Sequence, residues 1–264
     1  MERDWRKIDT YAKKWTREAG AMIKDSFQNE LIINTKSNAD DLVTNMDKEI
    51  EQFFIAKIKD RYPSHRIIAE EGYGDEIASL NGVVWIIDPI DGTMNFVHQQ
   101  RNFAISVAVY ENGVGMVGLI YDVVHDELYH ALQNEGAYLN ETKLSSLSEV
   151  PIQEAVIAVN ATWVTENKRI DPSILASLVK DVRGTRSYGS AALELAYVAA
   201  GRLDAYITMR LSPWDFAAGS ILLNEVGGVT TNLNGKPLNL QTQNSVFAAK
   251  SSLHHQILTN YLQK

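Results

Sequence analysis

Two aspartates three residues apart, Asp88 and Asp91, follow the apolar run Val83-Val84-Trp85-Ile86-Ile87. Carboxylates this close at the end of a buried strand repel each other unless a proton or a cation lies between them. A hard divalent cation is the economical answer. Oxygen ligands favour Mg2+ or Mn2+ over zinc, and the carbonyl of the intervening Ile90 is placed to add another oxygen. Gly92 permits close backbone approach, and the amides of Gly92 and Thr93 at the start of a turn can cradle a phosphate while the Thr93 hydroxyl orients a water. The competing reading is an Asp-Gly bend capped by Thr93. Three further acids stand in unusual places: Asp47 early in a helix, Glu70 after Ile67-Ile68-Ala69, and Asp215 behind Trp214. Taken singly they also fit structural roles. Asp47 and Asp215 can complement a helix dipole, and Asp215 lies three residues after Ser212 in a capping-box pattern with Pro213 at the first helical position.

The elements that must position these acids follow from hydrophobic period. Trp5, Ile8, Ala12, Trp15, Ala19, Met22 and Ile23 recur at three- and four-residue steps and predict a long amphipathic helix; Ile50, Phe53, Phe54, Lys57 and Ile58 predict a second that stops before Pro63. Residues 83–87 read as a buried strand closed by Asp88-Pro89. Residues 103–110 and 114–121 flank an Asn112-Gly113 hairpin signal, and 127–132 continue as a further strand, so the middle of the chain reads as an antiparallel sheet. The polar stretch Leu144-Ser145-Ser146-Leu147-Ser148 marks a soft boundary between an α+β lobe, residues 1–144, and an α/β lobe, residues 145–264. In the second lobe a strand is expected over 155–159 and a short helix over 173–179. Gly189-Ser190 opens an Ala-rich helix running to Ala200, and Ser212-Pro213 opens another that ends at Gly227-Gly228.

Composition narrows the function. Lys+Arg 25 against Asp+Glu 33 gives a formal charge of −8, which argues against a surface built to hold nucleic acid. An anionic protein that handles phosphate needs local positive charge, and metal ions held by clustered acids supply it. Without cysteine the chain has no disulfide, no zinc-thiolate site and no thiol nucleophile. A charged first segment and the lack of a long apolar run predict no membrane span and a cytoplasmic location.

Several segments together resemble the inositol monophosphatases, within the lithium-sensitive, Mg2+-dependent phosphatase superfamily: Asp41-Leu42-Val43-Thr44-Asn45-Met46-Asp47, Ile68-Ala69-Glu70-Glu71, the stretch from Trp85 to Phe96, and Pro213-Trp214-Asp215-Phe216-Ala217-Ala218-Gly219. The resemblance runs from the first helix to near the C-terminus. It implies a layered αβαβα sandwich of the inositol monophosphatase/fructose-1,6-bisphosphatase type, combining α+β and α/β lobes. It implies that Glu70, Asp88 and the Ile90 carbonyl hold one Mg2+, that Asp88, Asp91 and Asp215 hold a second, and that a third, weaker Mg2+ sits near Glu70. Mn2+ is the expected substitute, with Li+ and Ca2+ inhibitory. Asp47, Glu70 and Thr93 are the implied catalytic residues acting on water; Lys36 and Asp41 match a loop near the metals, and Glu71 stands behind the ligands. Asp91, Gly92, Thr93, Gly189, Ser190, Ala191 and Arg210 are the implied substrate contacts. A homodimer is implied, and the chemistry is in-line hydrolysis of a small phosphate monoester.

On the substrate side, Thr208 stands where the animal inositol enzymes carry a glutamate that binds inositol hydroxyls. Arg210 reads either as a contact to a second phosphate or nucleotide or as a solvated charge, Gly189, Ser190 and Ala191 also fit a helix cap, and Arg186 reads as structural. Inositol 1-phosphate ranks first as substrate, then NADP(H), fructose 1,6-bisphosphate and 3'-phosphoadenosine 5'-phosphate. His65, His98, His254 and His255 are scattered away from the acids and take no metal role. The rival enzyme is a haloacid-dehalogenase-type phosphatase with an aspartyl-phosphate, disfavoured by the two residues between Asp88 and Asp91; the rival class is a regulatory binding protein on the phosphatase fold.

Overall fold

The computed structural model describes residues 4–28, 32–35, 42–75 and 79–263. Helix α1 (Trp5–Ser26), the strands β1 (Ile33–Thr35) and β2 (Leu42–Thr44), and helix α2 (Asn45–Arg61) come first. A seven-stranded sheet follows: β3 (Arg66–Ala69), β4 (Val83–Asp91), then, after helix α3 (Thr93–Gln99), β5 (Ala104–Glu111), β6 (Val114–Asp122), β7 (Glu127–Leu132), β8 (Gly136–Leu139) and β9 (Thr142–Lys143), hydrogen-bonded in that order. Only β3 and β4 pair in parallel; the rest are antiparallel. At the tip of β5 and β6 the predicted hairpin is present, with Asn112 at φ 52° and Gly113 at φ 81°, as a two-residue turn between right-twisted strands requires.

The second half runs β10 (Val156–Val159), α4 (Pro172–Asp181), β11 (Gly184–Arg186), α5 (Ala191–Ala199), β12 (Ala205–Leu211), α6 (Pro213–Glu225), β13 (Gly228–Thr231), β14 (Asn244–Lys250) and α7 (Ser251–Ile257). Its five strands form one sheet in the order β11-β10-β12-β14-β13.

Strand alternation sorts the cores. Trp85, Ile87, Ile105, Val107 and Leu119 face α1 and α2 on one side of the large sheet, and Trp85 donates its indole N–H to His65 Nδ1 at 3.0 Å, giving a buried polar handle its partner. Val84, Ile86, Ala104, Ala108 and Ile120 face the other way, onto α5 and α6. Tyr206, Val246 and Ala248 of the small sheet close the same core from beyond those helices. The small sheet's far face, with Ile157, Ile207 and Phe247, packs on α4 and α7. The layers are therefore helix, sheet, helix, sheet, helix, and the middle core draws on both halves of the chain. Helices α5 and α6 are apolar almost all round because both of their faces are covered.

One expectation needs correction: strand β4 does not close at Asp88-Pro89 but continues to Asp91. The first fifth of the chain also carries the β1–β2 pair beside its two helices, which the hydrophobic period did not show.

Candidate metal and phosphate site

The extension of β4 is what brings the two aspartates together. In a regular strand, residues three apart point to opposite faces. Here Asp88 pairs with Ser106 and Asp91 with Ala104, three steps on β4 against two on β5. One residue is extra, a β-bulge, and it returns Asp91 to the face of Asp88. Pro89 lies in the bulge, where a missing amide hydrogen breaks no ladder bond. Ile90 turns its side chain into the α1–α2 core.

On the shared face the acids meet Asp215. One carboxylate oxygen each from Asp88, Asp91 and Asp215 lies within 4.8 Å of the others. Asp88 and Asp91 are buried and Asp215 is half-buried. Glu70, on the turn after β3, stands beside Asp88. Burial first, then Glu70, Asp91 and Asp215, holds the Asp88 carboxyl well above its usual range. Asp215 is raised in the same way, by burial and then by Asp91 and Glu70. Asp91 rises only to about 6, because Ser190 and the Ala192 amide donate to it against the effect of burial. Among the described residues no Lys or Arg forms an ion pair with Asp88, Asp91 or Asp215. A set of carboxylates held together with no counter-charge among the described residues fits hard divalent cations, which take oxygen ligands of this kind.

Two helix caps aim acids into the site. Asp47 is the third residue of α2, where its Oδ2 accepts the Thr44 amide at 2.8 Å and the Thr44 hydroxyl at 2.6 Å, and its Oδ1 lies 3.2 Å from the Thr93 hydroxyl. Asp215 is the third residue of α6, with Oδ2 accepting the Ser212 amide at 2.7 Å. In both, the cap ties one oxygen and leaves the other for the site, so the structural and chemical readings of these residues hold together. The N-terminus of α5 meets Asp91: the Ser190 hydroxyl, the Ala192 amide at 2.8 Å and the Ala191 amide donate to it, a favourable arrangement for a carboxylate at a helix's positive end.

Gly92 has φ 92°, and a Cβ there would stand 3.2 Å from the carbonyl oxygens of Asn102 and Gly189 and from the Ser190 Cβ. A side chain there would be strained by the positive φ and crowded by these atoms. Thr93 begins α3, its hydroxyl shared between Asp47 and the Ile90 carbonyl at 3.1 Å. Ser190 and Ala191, expected at the substrate, turn their polar groups to Asp91. Arg210 and Arg186 are exposed. Thr208 is buried, its hydroxyl accepting the Trp163 indole N–H at 3.2 Å. Lys36 and Asp41 lie outside the described residues. The histidines stay apart from the acids: His65 accepts Trp85, His98 and His255 are exposed, and His254 stacks on Phe247.

The sequence reading missed three supporting residues. Glu51, one turn after Asp47 and fully buried, accepts the amides of Glu71 at 2.6 Å and Tyr73 at 2.8 Å, which fixes the turn that carries Glu70. Its signal was an acid on the same face as Ile50, Phe54 and Ile58. Glu194 stands alone in an otherwise apolar helix. Asn95 joins two loops by donating to the Asn102 and Tyr188 carbonyls, each at 2.7 Å.

Over residues 4–264 the chain matches the inositol monophosphatase family. It belongs to that family and is a phosphatase. It is 66% identical over 259 residues to the inositol-1-monophosphatase of Bacillus subtilis (strain 168), covering 98% of each chain. Inositol monophosphatase II of Staphylococcus aureus MSSA476 superposes with a TM-score of 0.89 at 43% identity, over 96% of this chain and 92% of that one. An IMPase/NADP phosphatase complexed with Mg2+ and phosphate superposes at 0.90 with 29% identity, over 97% and 95%. Family membership gives the activity, and the β4 bulge gathers an acid cluster of the kind that hard divalent cations take.

Proposed function

We propose that the chain is a Mg2+-dependent phosphomonoesterase whose first substrate is an inositol monophosphate. The observation that carries this reading is the β4 bulge, which gathers Asp88 and Asp91 beside Asp215 with no described cation to balance them. Glu70, Asp88, the Ile90 carbonyl, Asp91 and Asp215 would hold the ions. Bound Mg2+ supplies charge neutralisation for the phosphoryl group and a water acidic enough to react near neutral pH.

The chain's own groups do the rest. Thr93 and Asp47 share a hydroxyl proton, and the Thr44 cap keeps the Asp47 carboxylate from rotating away, so the pair can receive and orient a water. Glu70, held by the Glu51-anchored turn, takes the proton that this water loses. Gly92 lets the α3 turn approach the phosphate closely. The nucleophile in this reading is water, so no covalent aspartyl intermediate takes part. Inositol preference draws on the Bacillus subtilis relative, and NADP as an alternative on the IMPase/NADP phosphatase neighbour. A homodimer and Li+ inhibition belong to the same reading.

Phosphate release from inositol 1-phosphate, NADP(H), fructose 1,6-bisphosphate and 3'-phosphoadenosine 5'-phosphate, with and without Mg2+, tests it. The expected outcome is release only with Mg2+ and fastest from inositol 1-phosphate. Equal release in excess chelator would contradict the metal assignment, and a strong preference for another compound would move the substrate without moving the chemistry.

A further inference from the structure

Behind Asp91 lies a buried chain of polar groups with no part in the chemistry above. Glu194, on the first turns of α5 and 5% exposed, accepts the Tyr188 amide at 2.6 Å and the Gly189 amide. Those amides precede the helix, so this acid serves the loop ahead of α5. The Tyr206 hydroxyl, on β12, donates to Glu194. Thr208 stands beside Tyr206, and its hydroxyl accepts the Trp163 indole N–H. These polar groups lie in succession from Trp163 through Thr208 and Tyr206 to Glu194. Asn95 grips the same loop from its other side, donating to the Tyr188 carbonyl at 2.7 Å.

The loop so clamped delivers the Ser190 hydroxyl and the Ala191 and Ala192 amides to Asp91. We propose that Glu194 is a positioning residue of the metal site, fixing the Tyr188–Ser190 turn and through it the carboxylate of Asp91, with the Trp163–Thr208–Tyr206 chain fixing Glu194 in turn. The proposal rests on reading Asp91 as a metal ligand. A buried carboxylate is costly unless its hydrogen bonds are met, and burial raises Glu194 to about 7 while the two amides oppose it. The cost has a use here, because a group that orients a ligand from behind governs how well the ligand set matches the ion. Thr208 also gains a role: buried beside Tyr206 with its hydroxyl accepting the Trp163 indole N–H, it supports the site from the inside in place of meeting substrate hydroxyls.

Calorimetric titration of Mg2+ into wild type, Glu194→Gln, Thr208→Val and Leu178→Ala separates positioning from stability. Leu178 is buried in the outer core beneath α4, so its truncation destabilises the fold far from the acids. Glu194→Gln should weaken Mg2+ binding about tenfold, because glutamine replaces one of the two acceptor oxygens by an NH2 donor and removes the charge, and should raise the half-saturating Mg2+ for phosphate release in parallel while the rate at saturating Mg2+ falls less. Thr208→Val should shift Mg2+ affinity in the same direction by less. Leu178→Ala should lower Tm and leave Mg2+ affinity unchanged. Wild-type Mg2+ affinity in Glu194→Gln overturns the proposal; if that variant does not fold, wild-type affinity in Thr208→Val does so. A wild-type chain that neither binds Mg2+ nor releases phosphate contradicts the metal reading itself, a result distinct from an unaffected variant.

Discussion

Asp215 accepts the Ser212 amide through Oδ2 and also brings a carboxylate oxygen to Asp88 and Asp91, so two substitutions can separate its two roles. Asp215→Asn keeps an acceptor for the cap and removes the charge. It should be at least as stable as wild type in chelator and should lose Mg2+-dependent phosphate release. Asp215→Ala should lose release and also about 1 kcal/mol of stability in chelator, read from denaturant unfolding, because the cap goes too. Glu70→Gln should leave folding intact and lower kcat by about 10²–10⁴, the usual worth of a positioned proton acceptor; a rate near wild type removes Glu70 from the water. At this scale the sequence was informative where an acid broke an apolar pattern at a strand end or helix start, as at Asp88, Asp91, Asp47 and Asp215. At Glu51 it showed an acid on an apolar helix face but not the reach to the Glu71 and Tyr73 amides, which joins residues about twenty positions apart. The same holds for Glu194, whose partner Tyr206 arrives on a separate strand.

The strand, the turn and two helix ends do the positioning, and each has a local cause. Periodicity revealed the helices because their apolar residues repeat at helical steps, and the Asn112-Gly113 turn because those two residues accept positive φ. The same logic ended β4 too early. Pro89 reads as a strand terminator, yet as the extra residue of a bulge it leaves the ladder intact, and a bulge is set by the register of the partner strand, which is invisible in β4 alone. The three-residue strands β1 and β2 escaped because so few residues establish no period. Gly92 is the element-scale test: Gly92→Ala places a Cβ 3.2 Å from two backbone carbonyls at φ 92°. It should cost about 1–2 kcal/mol, seen as a lower Tm, with a larger loss in phosphate release because Asp91 and Thr93 flank the turn.

The layer order was not legible from period, which shows that α5 and α6 are apolar without showing what covers them; the family resemblance provided it. Only the assembled molecule joins Glu70, Asp88 and Asp91 of the first half to Asp215 and the α5 end of the second. Gathering these acids also makes stability depend on pH and metal. Their carboxyls are raised in the fold, Asp91 to about 6, against about 3.9 in an unfolded chain. Between those values the folded state binds more protons than the unfolded one, so the metal-free protein loses stability as pH rises through that window, and further where Asp88 and Asp215 titrate. The chelated protein should therefore melt higher near pH 5 than near pH 8, and Mg2+ should raise Tm more at pH 8, since the ion replaces the protons. The most direct test of the site is calorimetric titration of Mg2+ at about pH 8 into wild type and Asp88→Asn, with phosphate release followed on the same samples. Saturable Mg2+ binding and matching release in wild type, both lost in Asp88→Asn, is the predicted result; a variant that binds Mg2+ and releases phosphate as wild type does would contradict the account.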